Sequence, residues 1–345
     1  MKKIKDARLF ETMKTFLTEY LPNVRALSPN TVQAYKDALN LYLLFIKEDG
    51  NKELSQILSA DFTAENLLKF LQWLETERKC AVSTRNQRLT ALRVFCRYLF
   101  NNASDFDTYS KISEIKPAKT VDKVLCEVLT TEQVKILLSI PDVTTDFGLR
   151  DYFYMALLYD TGCRNDELLS LSRGDFVTHK DGSGEIKVIG KGRKFRITPV
   201  SKEVTANYRQ YILRFHAGRD VNTPLFYIKH GAAITQMSPD NAARILNKYE
   251  KIYKTQNPEI PHLHPHLFRH TRAMHLYQAG MPLALIGEWL GHSHLETTLI
   301  YAYADTGMKR DAIEKITSAN NMVFSDEEFI YKNDEEAIRK LYGLE

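Results

Sequence analysis

The chain has 345 residues, 44% hydrophobic and 26% charged, with 15 Gly and 11 Pro, a balance that suits a folded two-domain protein and excludes collagen-like or low-complexity character. No uninterrupted apolar stretch approaches the ~20 residues that span a bilayer, and the start Met1-Lys2-Lys3-Ile4-Lys5-Asp6 runs on into Arg8, Glu11 and Lys14 without the apolar core of a secretory signal, so a cytoplasmic protein with no membrane partner is expected. The formal charge is +4, yet residues 318 to 345 carry seven acids against three bases, which leaves +8 on residues 1 to 317 and a body suited to a polyanion.

The first hundred residues read as helices. Ser28-Pro29-Asn30-Thr31 offers a capping serine with proline at the first helical position, followed by Val32, Tyr35, Ala38, Tyr42 and Phe45 at three- and four-residue spacing. A similar start at Ser83-Thr84 leads into Leu89, Leu92, Cys96 and Leu99, and the same segment carries Arg85, Arg88, Arg93 and Arg97, a set of bases placed to meet phosphates. The pattern ends at Asn101-Asn102-Ala103-Ser104-Asp105, and Lys116-Pro117-Ala118-Lys119-Thr120 has the composition of an exposed connection. The expected division is therefore a helical domain over 1–103, a linker over 104–128, a second domain over 129–317 and an acidic tail over 318–345.

In the second domain, Thr130-Thr131-Glu132-Gln133 opens a helix and residues 150 to 172 are apolar at helical spacing. The period then changes: Ile186, Val188, Phe195 and Ile197 alternate with polar residues around Gly190-Lys191-Gly192, the pattern of two short strands joined by a tight turn. Helical spacing returns over 240–255, 267–279, 282–290 and 295–304. Cys80, Cys96, Cys126 and Cys163 form no C-x-x-C pair and are expected as reduced thiols.

Seven of the ten histidines fall within 33 residues, between His262 and His294. His266 and His270 have the i, i+4 spacing of a zinc-binding helix, but Leu267-Phe268-Arg269 between them lacks a glutamate base and supplies a permanent cation, so no metal is expected. Read with the arginines, the same histidines surround an anion: Arg164, Arg269, His266 and His292 suit the non-bridging oxygens of a phosphodiester, which a guanidinium fork binds through two parallel hydrogen bonds.

These residues resemble the tyrosine recombinases, or phage integrases, of the simple Xer and Cre type. Thr161-Gly162-Cys163-Arg164-Asn165-Asp166-Glu167-Leu168-Leu169-Ser170-Leu171, with Asp175 after it, looks like the first box of that family. His266-Leu267-Phe268-Arg269-His270-Thr271 looks like the second, and Leu290-Gly291-His292 followed nine residues later by Tyr301 completes it, with Lys191 at the hairpin position. Cys163 and Phe268 stand where the family usually has leucine, and both remain apolar. The likeness extends over residues 8 to 103, similar to the family's core-binding domain, and the additional arm-binding domain of lambda-type integrases is not expected.

The resemblance implies a mainly α fold with a small β-sheet, in which a helical SAM-like domain and an α+β catalytic domain close as a C-shaped clamp on double-stranded DNA. It implies Tyr301 as nucleophile, forming a 3′-phosphotyrosyl intermediate without cofactor or metal. Arg164, Arg269 and His292 would stabilise the charged phosphorus, His266 would accept the tyrosine proton and Lys191 would protonate the 5′-oxygen, with Glu167 and His270 in support. A dimer per site and a tetramer at synapsis are expected, with room for an accessory DNA-bending or directionality factor. The acidic tail, which holds Val323, Phe324, Phe329, Ile330, Ile338 and Leu341, is expected to pack on a neighbouring protomer. A DNA-binding accessory protein would not need the six matched residues, and a type IB topoisomerase would share the chemistry without a defined target sequence.

Overall fold

The computed structural model describes residues 4–101, 106–120, 127–190, 194–231, 233–292, 296–304 and 339. Lys191, Cys126 and, apart from Arg339, the acidic tail lie outside the described residues. The chain divides into two units, Met1–Asp122 and Lys123–Glu345.

Among its described residues the first unit is helical. α1 (Ala7–Thr15) is capped by the Asp6 carboxylate and runs into a π-helical segment, Phe16–Val24. α2 (Pro29–Asp49) starts as its sequence predicts, with the Ser28 hydroxyl accepting from the Thr31 N–H, and buries Ala38, Leu39, Tyr42, Phe45 and Ile46. α3 (Ala64–Thr76) and α4 (Val82–Leu99) pack on α2. The expected cap at Ser83 does not form: the cap position is Ala81, two residues earlier, and it makes no side-chain cap. Aromatic rings fill the core, with Phe16 edge-on to Phe95 at 5.2 Å and Tyr42 edge-on to Phe70 at 5.2 Å. Part of the span read as linker is folded here, since α5 (Phe106–Ser113) lies on α3 and α4 and brings Ile112 and Ile115 into this core. Their two apolar side chains, inside a polar stretch, were too sparse to register as a helical stripe.

The second unit begins with α6 (Thr131–Ser139), whose Thr130 and Gln133 form the reciprocal cap their spacing predicts. α7 (Asp146–Thr161) is buried on almost every side from Phe153 to Thr161, the mark of a central helix, and α9 and α11 below pack against it. The short α8 (Asn165–Leu169) follows. Strands β1 (Phe176–Thr178), β2 (Gly184–Ile189) and β3 (Phe195–Val200) make an antiparallel sheet in the order β1-β2-β3, so β3 is an edge. After α9 (Lys202–Phe215) comes a second hairpin, β4 (Tyr227–His230) with β5 (Ala233–Gln236). Four helices complete the unit: α10 (Pro239–Lys254), α11 (Pro265–Gln278), α12 (Leu283–Leu290) and α13 (Glu296–Ala304).

The strand face differs from the sequence expectation. Alternation with polar residues, by itself, would set Phe195 and Ile197 on the core face, but they stand 60% and 50% exposed, and Arg196, Thr198 and Val200 face the core opposite Val188, Ile186 and Gly184. The inverted strand brings a charged group inward, and Arg196 is paired there with Glu167, while the buried Thr198 hydroxyl has no hydrogen-bond partner among the described residues. Among the described residues no helix is long and apolar enough to cross a membrane. Cys80, Cys96 and Cys163 are free thiols.

Candidate active site

α7 ends at Gly162, whose left-handed backbone (φ 62°) suits glycine and whose Cβ, if present, would stand 3.0 Å from Leu290 Cδ2. This turn sends the chain to Arg164, the residue that opens α8. The Arg164 N–H donates to Glu167 Oε2 at 3.0 Å and its Nη1 donates to Oε1 at 2.8 Å. Glu167 therefore caps the helix and holds the arginine at the same time.

Arg269, on α11, is 3% exposed. Its Nη1 donates to the Gly162 carbonyl at 2.9 Å and its Nη2 to the Leu290 carbonyl at 2.7 Å. One guanidinium thus joins the turn before Arg164 to the end of α12. Trp289 Nε1 tightens the same junction by donating to the Thr161 carbonyl at 2.8 Å. α12 ends at Gly291, again left-handed (φ 66°), and the His292 N–H turns back to the Gly287 carbonyl. His292 Nδ1 then meets the buried Thr298 hydroxyl on α13 at 2.8 Å.

Tyr301, one turn further along α13, is fully buried. Its hydroxyl lies 3.0 Å from Nδ1 of His270, the residue after Arg269. His266 stands one turn earlier on α11, its ring centroid 6.4 Å from that of His270. Three segments far apart in sequence, around Arg164, Arg269 and His292, are thereby held together, with Tyr301 against the middle one.

The charges fit an anion. Two guanidiniums, Arg164 and Arg196, share the carboxylate of Glu167, to which Arg164 Nη1 donates at 2.8 Å, Arg196 Nη2 at 2.7 Å and Arg196 Nη1 at 3.2 Å, and its negative charge also acts on Arg269. Burial alone would raise the Glu167 pKa, but hydrogen bonds from Arg196 and Arg164 prevail and hold it at about 2. Burial and the neighbouring charge of Arg164 bring Arg269 down to about 10. His270 and His292 are each pushed down to about 4, by burial first and then by His266 and Arg269 around the one and by Arg269 and Arg164 around the other. Burial followed by Arg269 and Arg164 also lowers His266.

Both His270 and His292 should consequently be neutral at pH 7 in the DNA-free protein, their side-chain NMR signals moving near pH 4 rather than at the ordinary 6.5. His270→Gln and His292→Gln would assign the two signals, and midpoints near 6.5 would contradict the buried geometry. In linkage terms the unfolded chain takes up these protons first, so the stability tied to the two histidines is complete above pH 6.5 and is lost as the pH falls toward 4.

The structure thus brings together Arg164, Glu167, His266, Arg269, His270, His292 and Tyr301. Lys191 lies outside the described residues, although Gly190 before it borders the Glu167 carboxylate. Two polar residues of the cluster escaped sequence reasoning. Arg196 sits on the strand face assumed to point outward, and Thr298 was recoverable only from its place three residues before Tyr301, one helical turn away. The four α4 arginines do not form one open basic face: Arg85 pairs with Glu75 at 2.7 Å, Arg93 donates to the Ser113 carbonyl, Arg88 lies against Cys80 Sγ, and Arg97 is exposed. Among the described residues no group of three His, Cys, Asp or Glu is placed to hold a metal ion.

Matches to known proteins extend over both units. The model of the phage integrase family matches residues 127–308, and that of the phage integrase N-terminal SAM-like domain matches residues 15–102. The chain is 33% identical over 314 residues to y4rC, an integrase/recombinase of Sinorhizobium fredii, covering 90% of this chain and 92% of that protein. It is 30% identical over 306 residues to the tyrosine recombinase XerD of Chlorobaculum tepidum, covering 86% of this chain and 92% of that one. In fold it is similar to the XerH site-specific recombinase bound to a palindromic difH substrate, with a TM-score of 0.65 at 20% identity over 91% of this chain and 90% of that chain. A match across both units, with an arginine- and histidine-lined site around a buried tyrosine, places the chain in the phage integrase family, the tyrosine recombinases that cleave and rejoin DNA.

Proposed function

We propose that this chain recombines DNA at a defined site with Tyr301 as nucleophile and Arg164, Arg269, His266, His292 and Lys191 around the scissile phosphate. The observation that carries the reading is the double hydrogen bond of Arg269 to the Gly162 and Leu290 carbonyls, which gathers the segments bearing Arg164 and His292 beside Tyr301. The tyrosine oxygen bonds to phosphorus, the bond from phosphorus to the 5′-oxygen breaks, and the 3′-phosphotyrosyl link retains the energy for rejoining by another 5′-hydroxyl. Arg164 and Arg269 meet the charge that grows on the non-bridging oxygens. Donation from the Thr298 hydroxyl to Nδ1 would fix the His292 proton on Nε2, ready to donate to the same phosphate.

From sequence alone His266 takes the role of proton acceptor. The contact at 3.0 Å favours His270 as the group that receives the Tyr301 hydroxyl, and its lowered pKa supports a neutral Nδ1 able to accept. His266, lowered by both Arg269 and Arg164, then belongs beside the phosphate. Lys191 protonates the departing 5′-oxygen. Its assignment predicts that Lys191→Ala cuts an ordinary strand poorly but recovers on DNA whose leaving oxygen is replaced by sulfur, a leaving group that needs no proton; equal loss on both substrates would remove Lys191 from this role.

The first unit, together with the α4 bases left open such as Arg97, supplies further DNA contacts, and the reaction proceeds in the cytoplasm with two protomers per site and four at synapsis. The apolar residues of the acidic tail support its packing on a neighbouring protomer. A setting in a mobile element is favoured by the likeness to an integrase. The test is incubation of the protein with nicked DNA from around its own gene. Adducts mapping to one position, and assembly into tetramers that is lost on deletion of residues 318 to 345, support a site-specific recombinase. Adducts scattered without sequence preference would favour relaxation of supercoils instead.

A further inference from the structure

Arg196 belongs to none of the sequence boxes, yet it touches Glu167 and Cys163 and lies against Gly190 and Gly291. Its side chain is only 12% exposed, its guanidinium forks onto both oxygens of Glu167, and its Nη2 lies 3.6 Å from Cys163 Sγ. Two glycines make space for it. A Cβ on Gly291 would stand 2.9 Å from Arg196 Nη1, and a Cβ on Gly190 would stand 3.1 Å from the same atom and 3.1 Å from Glu167 Oε1. Gly291 immediately precedes His292, Gly190 immediately precedes Lys191, and Glu167 holds Arg164 through backbone and side chain. The Arg196–Glu167 pair is therefore a common floor on which the attachment points of three site residues rest.

Resting on the proposed assignment of Arg164 and His292 to the scissile phosphate, we infer that Arg196 is a positioning residue that sets the spacing of these two groups through Glu167 and Gly291, with Gly190 seated on the same ion pair. A fork is needed because both carboxylate oxygens are engaged from one side while the other side serves Arg164. A lysine ammonium satisfies the charge from a single point and leaves the carboxylate free to rotate. Arg196 lies below the phosphate contacts, so its effect belongs to the chemical step and not to DNA affinity.

The test compares Arg196→Lys, Arg196→Gln, Glu167→Gln and the neutral pair Arg196→Gln/Glu167→Gln with wild type. Three quantities are read: the single-turnover rate of adduct formation at saturating protein on nicked DNA, the DNA dissociation constant and the melting temperature. Arg196→Lys should slow adduct formation by about 10- to 100-fold, in the range of losing a well-oriented supporting group, with DNA affinity changed less than about 2-fold. If Arg196 acts through Glu167, adding Arg196→Gln to Glu167→Gln should cost little more than Glu167→Gln alone, because residues acting as one unit are not additive. The neutral double variant removes both charges together and keeps the test open if Arg196→Lys folds poorly. An unchanged rate in Arg196→Lys, fully additive losses, or a loss matched by weaker DNA binding would each overturn the inference. Absence of adduct with the wild-type protein itself would instead reject the nucleophile assignment on which it rests.

Discussion

Tyr301→Phe should fold, bind DNA as wild type does and form no covalent adduct, a loss of roughly 10⁴-fold or more, as expected when the nucleophile itself is removed. The ring is fully buried in the small core with Ala273, Met274, Ile286 and Leu290, so phenylalanine keeps the packing and removes the hydroxyl that meets His270 Nδ1. Loss of a neutral hydrogen bond costs about 1 kcal/mol, small beside the packing that the ring retains, and a melting curve within a few degrees of wild type would exclude collapse as the cause. The competitor is Tyr303. Two residues along α13 means a rotation of roughly 200°, so the two tyrosines cannot address the same phosphate from one helix position. Tyr303→Phe should therefore retain adduct formation on nicked DNA. An adduct that survives in Tyr301→Phe and vanishes in Tyr303→Phe would transfer the role, and an adduct that survives in both would remove α13 from the chemistry.

How much of this site could be read from the chain depends on what each residue needs from its neighbours. Arg164, Arg269, His292 and Tyr301 stand next to local signals that are themselves sequence-encoded: a left-handed glycine after α7, a proline at the start of α11, a left-handed glycine after α12. Motif spacing and backbone chemistry coincide there, so position in sequence predicts position in space. Arg196 is the opposite case. Its neighbours Phe195 and Ile197 carry the apolar alternation, and only the pairing of β3 with β2 and the demand of buried Glu167 reveal that the strand is turned the other way. His266 and His270 show a further limit, because i and i+4 lie on one helix face and sequence cannot say which of them the tyrosine meets; the packing of α13 on α11 decides it. In the first unit, α4 was recognised as a helix, but the use of its arginines was not legible, since Glu75 and the Ser113 carbonyl come from other parts of the fold.

Arg269 carries the second large effect, and here scaffold and chemistry have to be separated. Arg269→Ala should lower the rate of adduct formation by about 10²- to 10³-fold, the usual loss when a donor aimed at developing oxyanion charge is removed. It should also destabilise the second unit, because the Gly162 and Leu290 carbonyls lose their donors and each buried orphan costs about 1–3 kcal/mol. Arg269→Lys distinguishes the two contributions. An ammonium keeps the positive charge but presents no planar fork, so it cannot bridge two carbonyls and still face a phosphate. If Arg269 acts chiefly as a charge, the lysine variant should recover most of the rate. The geometry predicts otherwise: the lysine variant should react nearly as slowly as the alanine variant and melt several degrees below wild type. Arg164→Lys provides the comparison, since Arg164 is 32% exposed and its main protein partner is Glu167; it should lose rate with little loss of stability. Single-turnover rates and melting curves for the three variants decide the matter. A lysine at 269 with near-wild-type rate and melting temperature would show that the bridge between Gly162 and Leu290 does not organise the site.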